Sequence, residues 1–506
     1  MDWQTTLNMA IRTNLVDPGF QPDPLNTEPI YAQLAAALSE AIRAGRITLG
    51  TRLPSERLYA RALGLSRTTI TAAYQELKAT GLLRGYVGRG AVVIADDPDR
   101  ASSGAIRWSQ FGSRLGRTLQ PRSVARDRDQ ISFGDGWLHP SLIPSAALAT
   151  CGATALRDPE VFSKAAALLG LPALREALVD TLRSNGIHAA SGEILITGGA
   201  QQGLNAVARA LISPGDTVVC ESPSWHGAAR AFSAAGAEVV GVAMDHEGID
   251  PEALEDSIIR LRPKFVYLIP TFQCPTGRLL GLPRRHRVLD MCARHHTPIL
   301  ESHVYGDISF GDKLPSLKSL DSRGLVIHQG SASKIISAAL RVGWLVAPRA
   351  AMELLAPAKA SLDLSTPALS QAVLAGFLNS GAYARHQPKF RDELRARRDA
   401  LIGALAAHCP QLRYVVPQGG LYVWAQLPQR IQSDDFEAAA AAEGVSVRGG
   451  HCFLIDGGES SHIRLCFAAP SLDQIDEGAQ RLGKVLQRML HGQPETDGGS
   501  STWAPV

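Results

Sequence analysis

The chain has 506 residues, of which 45% are hydrophobic and 20% charged, and this balance is ordinary for a globular protein. The length exceeds what one hydrophobic core accommodates, so two or more domains are expected. The seven scattered cysteines, without a Cys-x-x-Cys pair, argue against a disulfide framework or a zinc site and fit a reducing cytoplasm. The first residues lack the order of a signal peptide, and no apolar run is long enough to predict a membrane span.

The N-terminal part of the chain predicts an arm followed by three helices. Residues 1–28 are polar and predict no core of their own. From 30 to 42 apolar residues recur every four positions, which predicts an amphipathic helix. Ser55 is a candidate cap for a second helix, and Ser66 is a candidate cap for a third helix over 67–80.

A glycine-rich stretch, 81–94, then predicts a β-hairpin, so residues 29–95 have the order of a winged helix-turn-helix domain. Between residues 31 and 95, nine basic side chains stand against three acidic ones, a net charge of about +6, whereas the whole chain carries +3. A basic small domain attached to a near-neutral large one indicates a polyanion as the partner of the small domain, and we expect double-stranded DNA.

In this class of domain the third helix enters the major groove N-terminus first. Arg67 can pair with guanine, and a threonine can contact a thymine methyl group or a phosphate. Basic residues of the second helix and the wing suit the DNA backbone and the minor groove. The predicted DNA-binding residues are Arg57, Ser66, Arg67, Thr68, Thr69, Arg84, Tyr86 and Arg89. The alternative is a helical dimerisation module with a solvated basic face.

Four stretches carry a family resemblance in this domain: Pro29-Ile-Tyr-Ala-Gln, residues 44–57, Leu63-Gly-Leu-Ser-Arg-Thr-Thr-Ile and Gly88-Arg-Gly. Through them residues 29–95 resemble the GntR-type winged-helix family. The resemblance implies a DNA-binding transcriptional regulator.

Beyond the small domain the chain predicts a linker, a large domain and a tail. Residues 96–129 lack a sustained period and predict a flexible charged linker, although its basic end could also touch DNA. From 130 to 490, short apolar runs alternate with helical segments, which predicts an α/β domain with a mostly parallel central sheet. A smaller α+β part follows from about residue 350, and the Gly/Ser/Pro-rich tail 491–506 is expected to be disordered.

Lys334 lies among small residues, directly after an apolar stretch that predicts a buried strand. A partly desolvated setting lowers the pKa of a lysine and allows the amine to form a Schiff base with an aldehyde cofactor. Ser331, Ser333 and Arg341 suit a phosphate, to which arginine offers a planar fork of donors. Residues 193–203 predict a strand, a glycine turn and a helix, which aim N–H groups at an anion. By itself, the short motif is more often a surface lysine on a helix that follows a strand, and other parts of the chain outweigh that reading.

Seven stretches of the large domain carry a second resemblance: Ile131-Ser-Phe-Gly-Asp-Gly, Gly170-Leu-Pro-Ala-Leu-Arg, residues 197–203, Glu221-Ser-Pro-Ser-Trp, Gln273-Cys-Pro-Thr-Gly, residues 330–341 and Arg464-Leu-Cys-Phe. They resemble fold type I aminotransferases, which hold pyridoxal 5′-phosphate (PLP). With the winged helix in front, the whole chain resembles the MocR subfamily of GntR regulators.

This resemblance implies a role for each matching residue. Lys334 corresponds to the Schiff-base lysine, Trp225 to the aromatic residue that stacks on the cofactor ring, and Tyr305 to the tyrosine near its O3′ atom. Arg464 corresponds to the arginine that binds a ligand carboxylate. The implied cofactor-binding residues are Gly199, Ala200, Gln201, Trp225, Cys274, Ser302, Tyr305, Ser331, Ser333, Lys334 and Arg341, and no metal site is expected.

Three positions depart from the family pattern. Ser302 stands where the family has an acid beside the pyridine nitrogen, and a serine cannot keep that ring protonated. Cys274 replaces the usual asparagine, and an alanine run around Ala165 replaces a tyrosine that commonly reaches the partner subunit's phosphate. We therefore expect transamination to be severely impaired.

Three hypotheses follow. The first is a transcriptional regulator whose large domain binds PLP through Lys334 and senses PLP or its adduct with an amine or amino acid, with little or no turnover. The second is a working aminotransferase with an accessory DNA-binding domain, and the third is a regulator that has lost PLP. A homodimer is expected, because fold type I sites are usually completed across a dimer and DNA half-sites favour a two-fold protein.

Overall fold

The computed structural model describes residues 20, 22–23, 28–43, 46–48, 50–51, 53–86, 90–94, 130–163 and 167–491. The chain divides into two compact units, Met1–Gln120 and Pro121–Val506. The predicted linker 96–129, the tail beyond residue 491 and most of the arm 1–28 lie outside the described residues, as does Ala165.

In the part of the small unit that the structure describes, three helices and a two-stranded hairpin form a compact fold, which confirms the predicted winged helix-turn-helix. The elements are α1 (Ile30–Arg43), α2 (Glu56–Leu63), α3 (Arg67–Ala79), β1 (Leu83–Tyr86) and β2 (Gly90–Val93). The apolar face of α1 packs against α3, and the buried side chains of Leu34, Leu38, Ile70 and Leu77 form the centre of this core. The antiparallel hairpin pairs Leu83 with Val93.

Both predicted serine caps occur where the sequence places them. Ser55 Oγ accepts a hydrogen bond from the backbone of Leu58, and Ser66 Oγ accepts one from the backbone of Thr69 at 3.1 Å. Such caps satisfy amide groups that have no partner in the first turn of a helix. They fix where α2 and α3 begin, and therefore which side chains of α3 stand at its exposed N-terminus.

The large unit is an α/β domain with a smaller α+β part. Its strands are β3 (Ile131–Ser132), β4 (Ile194–Thr197), β5 (Thr217–Ser222), β6 (Glu238–Asp245), β7 (Gly248–Ile249), β8 (Val266–Leu268), β9 (Ile299–Ser302), β10 (Val326–Ser331), β11 (Gly343–Val346), β12 (Arg413–Tyr414), β13 (Tyr422–Gln426), β14 (Val445–Ser446), β15 (Arg448–Gly449) and β16 (His462–Cys466). Its helices are α4 (Ser145–Ala155), α5 (Glu160–Ser163), α6 (Pro172–Ser184), α7 (Ala200–Leu211), α8 (His226–Ala234), α9 (Pro251–Leu261), α10 (Leu282–Arg294), α11 (Leu317–Leu320), α12 (Arg349–Asp363), α13 (Ala368–Asn379), α14 (Ala382–His408), α15 (Ser433–Ala442) and α16 (Leu472–His491).

The main sheet has eight strands in the order β4-β11-β10-β9-β8-β5-β6-β7. The neighbouring pairs from β10 to β6 are parallel, as the sequence predicts. Strand β11 is antiparallel to both of its neighbours, and β7 is antiparallel to β6. Every residue of β4, β8, β9 and β10 is buried, which fits strands covered by helices on both faces. The carboxyl ends of the parallel strands meet at one edge of this sheet.

A second sheet, in the order β12-β13-β16-β15, belongs to the smaller α+β part. Strand β13 begins at Tyr422, shortly after Gly419 and Gly420. Gly420 has a φ of +70°, and a Cβ atom on Gly419 would lie 2.2 Å from the carbonyl oxygen of Ile308. The two glycines therefore make a close turn against the main domain instead of a strand. Among the described residues, no helix is long and apolar enough to cross a membrane.

Candidate active site

A cavity of about 410 Å³ lies at the carboxyl edge of the parallel strands and extends to the second sheet. Its lining includes ten of the eleven predicted cofactor residues, together with the predicted carboxylate-binding Arg464: Ala200, Gln201, Trp225, Cys274, Ser302, Tyr305, Ser331, Ser333, Lys334 and Arg341. The eleventh, Gly199, directly precedes Ala200 and lies against the guanidinium of Arg341. The fold thus brings together predicted residues as far apart in the sequence as Ala200 and Arg464.

Lys334 ends a short 3₁₀ helix, Ala332–Lys334, that follows β10. Its Nζ atom donates a hydrogen bond to the carbonyl oxygen of Gly136 at 2.8 Å and lies 5.5 Å from the ring centre of Trp137. Burial lowers the pKa of this amine, and the positive charges of Arg464 and Arg341 act in the same direction. A larger fraction of the amine is therefore neutral and nucleophilic than in an exposed lysine.

One corner of the cavity is formed by Arg341 and the turn before α7. Arg341 Nη2 donates to the carbonyl oxygen of Gly198 at 2.9 Å. Gly199 has a φ of +93°, and a Cβ atom there would lie 2.9 Å from Arg341 Nη2. The glycine therefore permits both the turn and the close approach of the guanidinium.

The same corner receives the N-terminus of α7, whose first amide groups have no partner within the helix. Ser331 and Ser333 stand beside it, and Ser331 Oγ accepts a hydrogen bond from the backbone of Ser333 at 3.2 Å. Gln201 of the same helix turn is fixed by a 2.9 Å hydrogen bond from its Nε2 to the carbonyl oxygen of Gly227. Arginine, hydroxyl groups and a helix N-terminus at one point make this corner suitable for a phosphate.

Two pairs of rings flank the centre of the cavity. Trp225 precedes α8, and its ring centre lies 4.4 Å from that of His226. Tyr305 and Tyr422 come within 3.3 Å of each other through their hydroxyl oxygens, and burial raises the pKa of both phenols. A flat ligand ring therefore has aromatic neighbours on more than one side.

Ser302 is the last residue of β9, and it is 4% exposed. It lines the cavity beside Tyr267, whose hydroxyl interacts with the serine side chain. Neighbouring residues of a strand point to opposite faces, so Glu301 faces away from the cavity. His303, directly after the strand, does not line the cavity either. Among the lining residues, Asp135 is the single acid, and it accepts a 2.8 Å hydrogen bond from Ser132.

The carboxylate of Glu301 is fully buried on the far side. It accepts hydrogen bonds from the backbone of Leu317 at 2.7 Å and of Lys318 at 3.1 Å, and from His328 Nδ1 at 2.9 Å. Burial alone would raise its pKa, but the hydrogen bonds and the adjacent histidines lower the pKa to about 2. His303 packs 5.1 Å from His328, and burial lowers the pKa of His303 to about 4.

Arg464, in β16, is 4% exposed and closes the cavity on the side of the second sheet. Its Nη2 donates to the carbonyl oxygen of Gly134 at 2.6 Å, and its Nη1 lies 3.6 Å from the sulfur of Cys274. The guanidinium carbon is 4.2 Å from the ring centre of Tyr422. Its buried Nε has no hydrogen-bond partner in the part of the chain that the structure describes, so a donor remains available to a ligand.

Sequence reasoning did not single out several lining residues, notably Trp137, His226, Tyr267, Tyr422 and Arg448. Tyr267, at the centre of β8, could have been found as a polar group in a buried parallel strand. Tyr422 and Arg448 belong to the second sheet. No local sequence motif indicates that this sheet reaches the cavity.

One further cluster has the atoms of a metal site. Glu437, His451 and Cys452 each place a possible ligand atom within 4.8 Å of the others. The carboxylate of Glu437 is engaged by Arg448 at 3.1 Å and by the backbone of Gly449 at 2.8 Å. We therefore assign the carboxylate to these two donors and not to a metal ion.

The predicted DNA-binding residues of the small unit are displayed at the start of α3 and near it. The side chain of Arg67 is 72% exposed and lies 3.7 Å from Glu56. Arg57, Thr68 and Arg84 are exposed, whereas Thr69 is half-buried. Ser66 is exposed but also binds the hydroxyls of both threonines at 2.7 Å, so its cap organises the helix start. The side chain of Tyr86 and all of Arg89 lie outside the described residues.

Comparison with known proteins places both units. Residues 135–482 match the family "Aminotransferase class I and II", and residues 30–93 match "Bacterial regulatory proteins, gntR family". The chain is 30% identical over 472 residues to the uncharacterized HTH-type transcriptional regulator YdfD of Bacillus subtilis, which covers 91% of this chain and 97% of that protein. It is 28% identical over 429 residues to the probable rhizopine catabolism regulatory protein MocR of Rhizobium meliloti. That match covers 83% of this chain and 86% of the MocR protein.

Among solved structures, the large unit resembles LysN, the alpha-aminoadipate aminotransferase of Thermus thermophilus, which was crystallised with N-(5'-phosphopyridoxyl)-L-leucine. The TM-score is 0.72 at 33% identity, and the match covers 77% of this chain and all of that one. The chain belongs to the class I and II aminotransferase family through its large unit, and the GntR domain in front gives it the architecture of the MocR-type transcriptional regulators.

Proposed function

We propose that the protein is a cytoplasmic, DNA-binding transcriptional regulator whose large domain binds PLP through Lys334. It senses PLP, or its adduct with an amine or amino acid, with little or no turnover. The observation that carries this proposal is the pairing of Lys334 with Ser302 in one cavity. The lysine is desolvated as a nucleophile requires, whereas the pyridine side of the cavity offers a hydroxyl group where a catalyst needs an acid.

The residues present fit PLP. The corner of Arg341 and α7 suits the phosphate, and the guanidinium of Arg341 can lie there only because Gly199 has no Cβ atom. Trp225 and Tyr305 would flank the ring, Ser302 would face its nitrogen, and Arg464 would take the carboxylate of a ligand. When bound, PLP supplies an electrophilic carbon and an electron sink whose strength depends on protonation of the ring nitrogen.

Ser302 keeps that electron sink weak. Its hydroxyl can donate a hydrogen bond to a neutral ring nitrogen, but it cannot stabilise the protonated nitrogen as a carboxylate does. Glu301 cannot substitute, because it is committed to three donors on the other side of the strand. The cavity therefore favours binding over turnover.

The first prediction concerns Ser302. Wild-type protein loaded with PLP should show a visible absorbance band, yet exchange amino groups between an amino acid and a 2-oxo acid at the background rate. Ser302→Asp should move the band towards the protonated-ring form, because a carboxylate within hydrogen-bonding distance favours the pyridinium. Ser302→Ala is the matched control and should not cause this shift. Rapid turnover by the wild-type protein would instead support the aminotransferase hypothesis.

A second prediction concerns DNA. Arg67→Ala should weaken specific operator binding by about 1–3 kcal/mol, since a bidentate contact to a base contributes roughly that much discrimination. Lys78→Ala, an exposed basic residue in the last turn of the same helix, is the control and should leave sequence discrimination unchanged. Gel-shift titrations at one fixed salt concentration measure both. An unchanged affinity of Arg67→Ala for the operator would refute its role.

A third prediction concerns assembly. We expect a homodimer, because operator half-sites suit a two-fold protein and related aminotransferase sites are usually completed across subunits. Sedimentation velocity at micromolar concentration should give a particle of about twice the 54.0 kDa chain mass. A stable monomer under these conditions would refute the expectation.

A further inference from the structure

Arg448 places a second guanidinium in the cavity beside Arg464. The two arginines are direct cross-strand partners in the antiparallel pair of β15 and β16, and both line the cavity. Residues directly opposite in such a pair point to the same face, with Cβ atoms about 4.5–5.5 Å apart. Like charges at this position are destabilising unless something compensates them.

The compensation available to Arg448 within the described residues is incomplete. Its Nη1 donates to Glu437 at 3.1 Å, and the other oxygen of that carboxylate accepts from the backbone of Gly449. Glu437 thus orients Arg448 and neutralises part of its charge. The remaining guanidinium N–H groups of Arg448 stay available, since its side chain is 27% exposed and faces the cavity.

Arg464 has no carboxylate partner among the described residues. Its hydrogen bonds go to a backbone carbonyl and a sulfur, and its Nε is buried without a partner. His226, which lines the same part of the cavity, also has a buried Nδ1 without a partner. Burial, together with the charges of Arg230, Arg464 and Arg448, lowers the pKa of His226 to about 4. This end of the cavity therefore has a positive potential and unused hydrogen-bonding groups.

We propose that the effector is an amino acid with a second acidic group, whose α-carboxylate binds Arg464 and whose side-chain acid binds Arg448. The inference rests on the proposed function, in which Arg464 takes the carboxylate of the ligand. It adds the chemical class of that ligand and assigns Arg448 as a specificity-determining residue. A neutral side chain in the same place would leave Arg448 without a second anion.

The test compares amino acids of equal length that differ only in the acid. Calorimetric titration of PLP-loaded protein with L-glutamate and L-glutamine, and with L-aspartate and L-asparagine, gives two acid-to-amide affinity ratios. We expect at least one ratio to be about tenfold or more, as for other hydrogen bonds to charged groups. Arg448→Gln should reduce that ratio to below about threefold, and Arg448→Lys should give an intermediate value.

Arg413→Gln is the matched control, because Arg413 is an exposed arginine of the same sheet, in β12, and does not line the cavity. It should keep the wild-type ratio. No preference for the acid in either pair, or an unchanged ratio in Arg448→Gln, overturns the inference. A failure of the proposed function would be detected by a different measurement, namely the absence of the visible PLP absorbance band in the wild-type protein. If that band is absent, the same titrations on protein without PLP still measure the acid-to-amide ratio.

Discussion

Lys334→Ala is expected to abolish the visible absorbance of bound PLP completely while leaving the protein folded. Among the described residues no other lysine lines the cavity, so none could replace Lys334 in a covalent attachment. The cost in stability should be small, since the lysine makes one hydrogen bond, to Gly136, which contributes about 1 kcal/mol. Absorbance spectra after incubation with PLP, with circular dichroism melting as the measure of folding, test this directly.

Two variants sharpen the result. Lys334→Arg keeps the positive charge but cannot make the covalent bond, so it should also lack the band. Lys389→Ala removes an exposed lysine of α14, and this variant should retain the visible absorbance band. A visible band that persists in Lys334→Ala would show that the cofactor is held elsewhere, and would remove the basis of the proposed sensing mechanism.

Glu301→Ala is expected to destabilise the large unit by about 3–5 kcal/mol, the range for removing one partner from a buried, hydrogen-bonded charge. The substitution leaves the amides of Leu317 and Lys318 and the imidazole of His328 without their acceptor. Urea unfolding measures the loss. Glu252→Ala, which removes a carboxylate that is 65% exposed and paired with Arg287, is the control and should change stability by less than about 0.5 kcal/mol.

The difference in unfolding free energy between the wild-type protein and Glu301→Ala should change with pH in a definite direction. The pKa of Glu301 is about 2 in the folded protein against 4.5 ordinarily, because hydrogen bonds and histidines outweigh burial. A depressed carboxyl pKa contributes stability that is present above the ordinary pKa and is lost as the pH falls through the folded one. The stability gap between wild type and Glu301→Ala should therefore narrow from pH 4.5 towards pH 2. A gap that stays constant or widens over this range would contradict the assignment.

The sequence predicts the elements that lie close together along the chain. Ser66 precedes a helix it can cap, and Lys334 follows a buried strand, so both positions can be inferred from neighbours. The parallel core of the sheet is predictable as well, because its apolar runs alternate with amphipathic helices. Local sequence patterns do not predict that β11 lies antiparallel between β4 and β10. That placement brings Gly343 into close contact with the backbone of Gly199.

The cavity wall formed by the second sheet is the least predictable part of the site. Tyr422, Arg448 and Arg464 meet there through strand pairings, with β16 in register with both of its neighbours. Of these three residues, only Arg464 lies in a motif that the sequence alone identifies, Arg464-Leu-Cys-Phe. The other two become visible when the register is known, because residues directly opposite on antiparallel strands share a face.

Two positively charged side chains on opposite sides of the cavity donate hydrogen bonds to the short segment 134–137. Lys334 reaches Gly136 from the main sheet at 2.8 Å, and Arg464 reaches Gly134 from the second sheet at 2.6 Å. An amine that forms a covalent bond to a carbonyl compound gives up protons, so the same nitrogen cannot serve both the cofactor and the Gly136 carbonyl equally well.

If Lys334 attaches PLP as proposed, attachment and restraint of this segment compete for one atom. By thermodynamic reciprocity, whatever holds residues 134–137 in place opposes attachment, and attachment loosens them by the same free energy. These residues lie close to residue 130, where the described part of the large unit begins. A covalent bond at Lys334 Nζ would therefore release one of the two restraints on the N-terminal edge of the large unit.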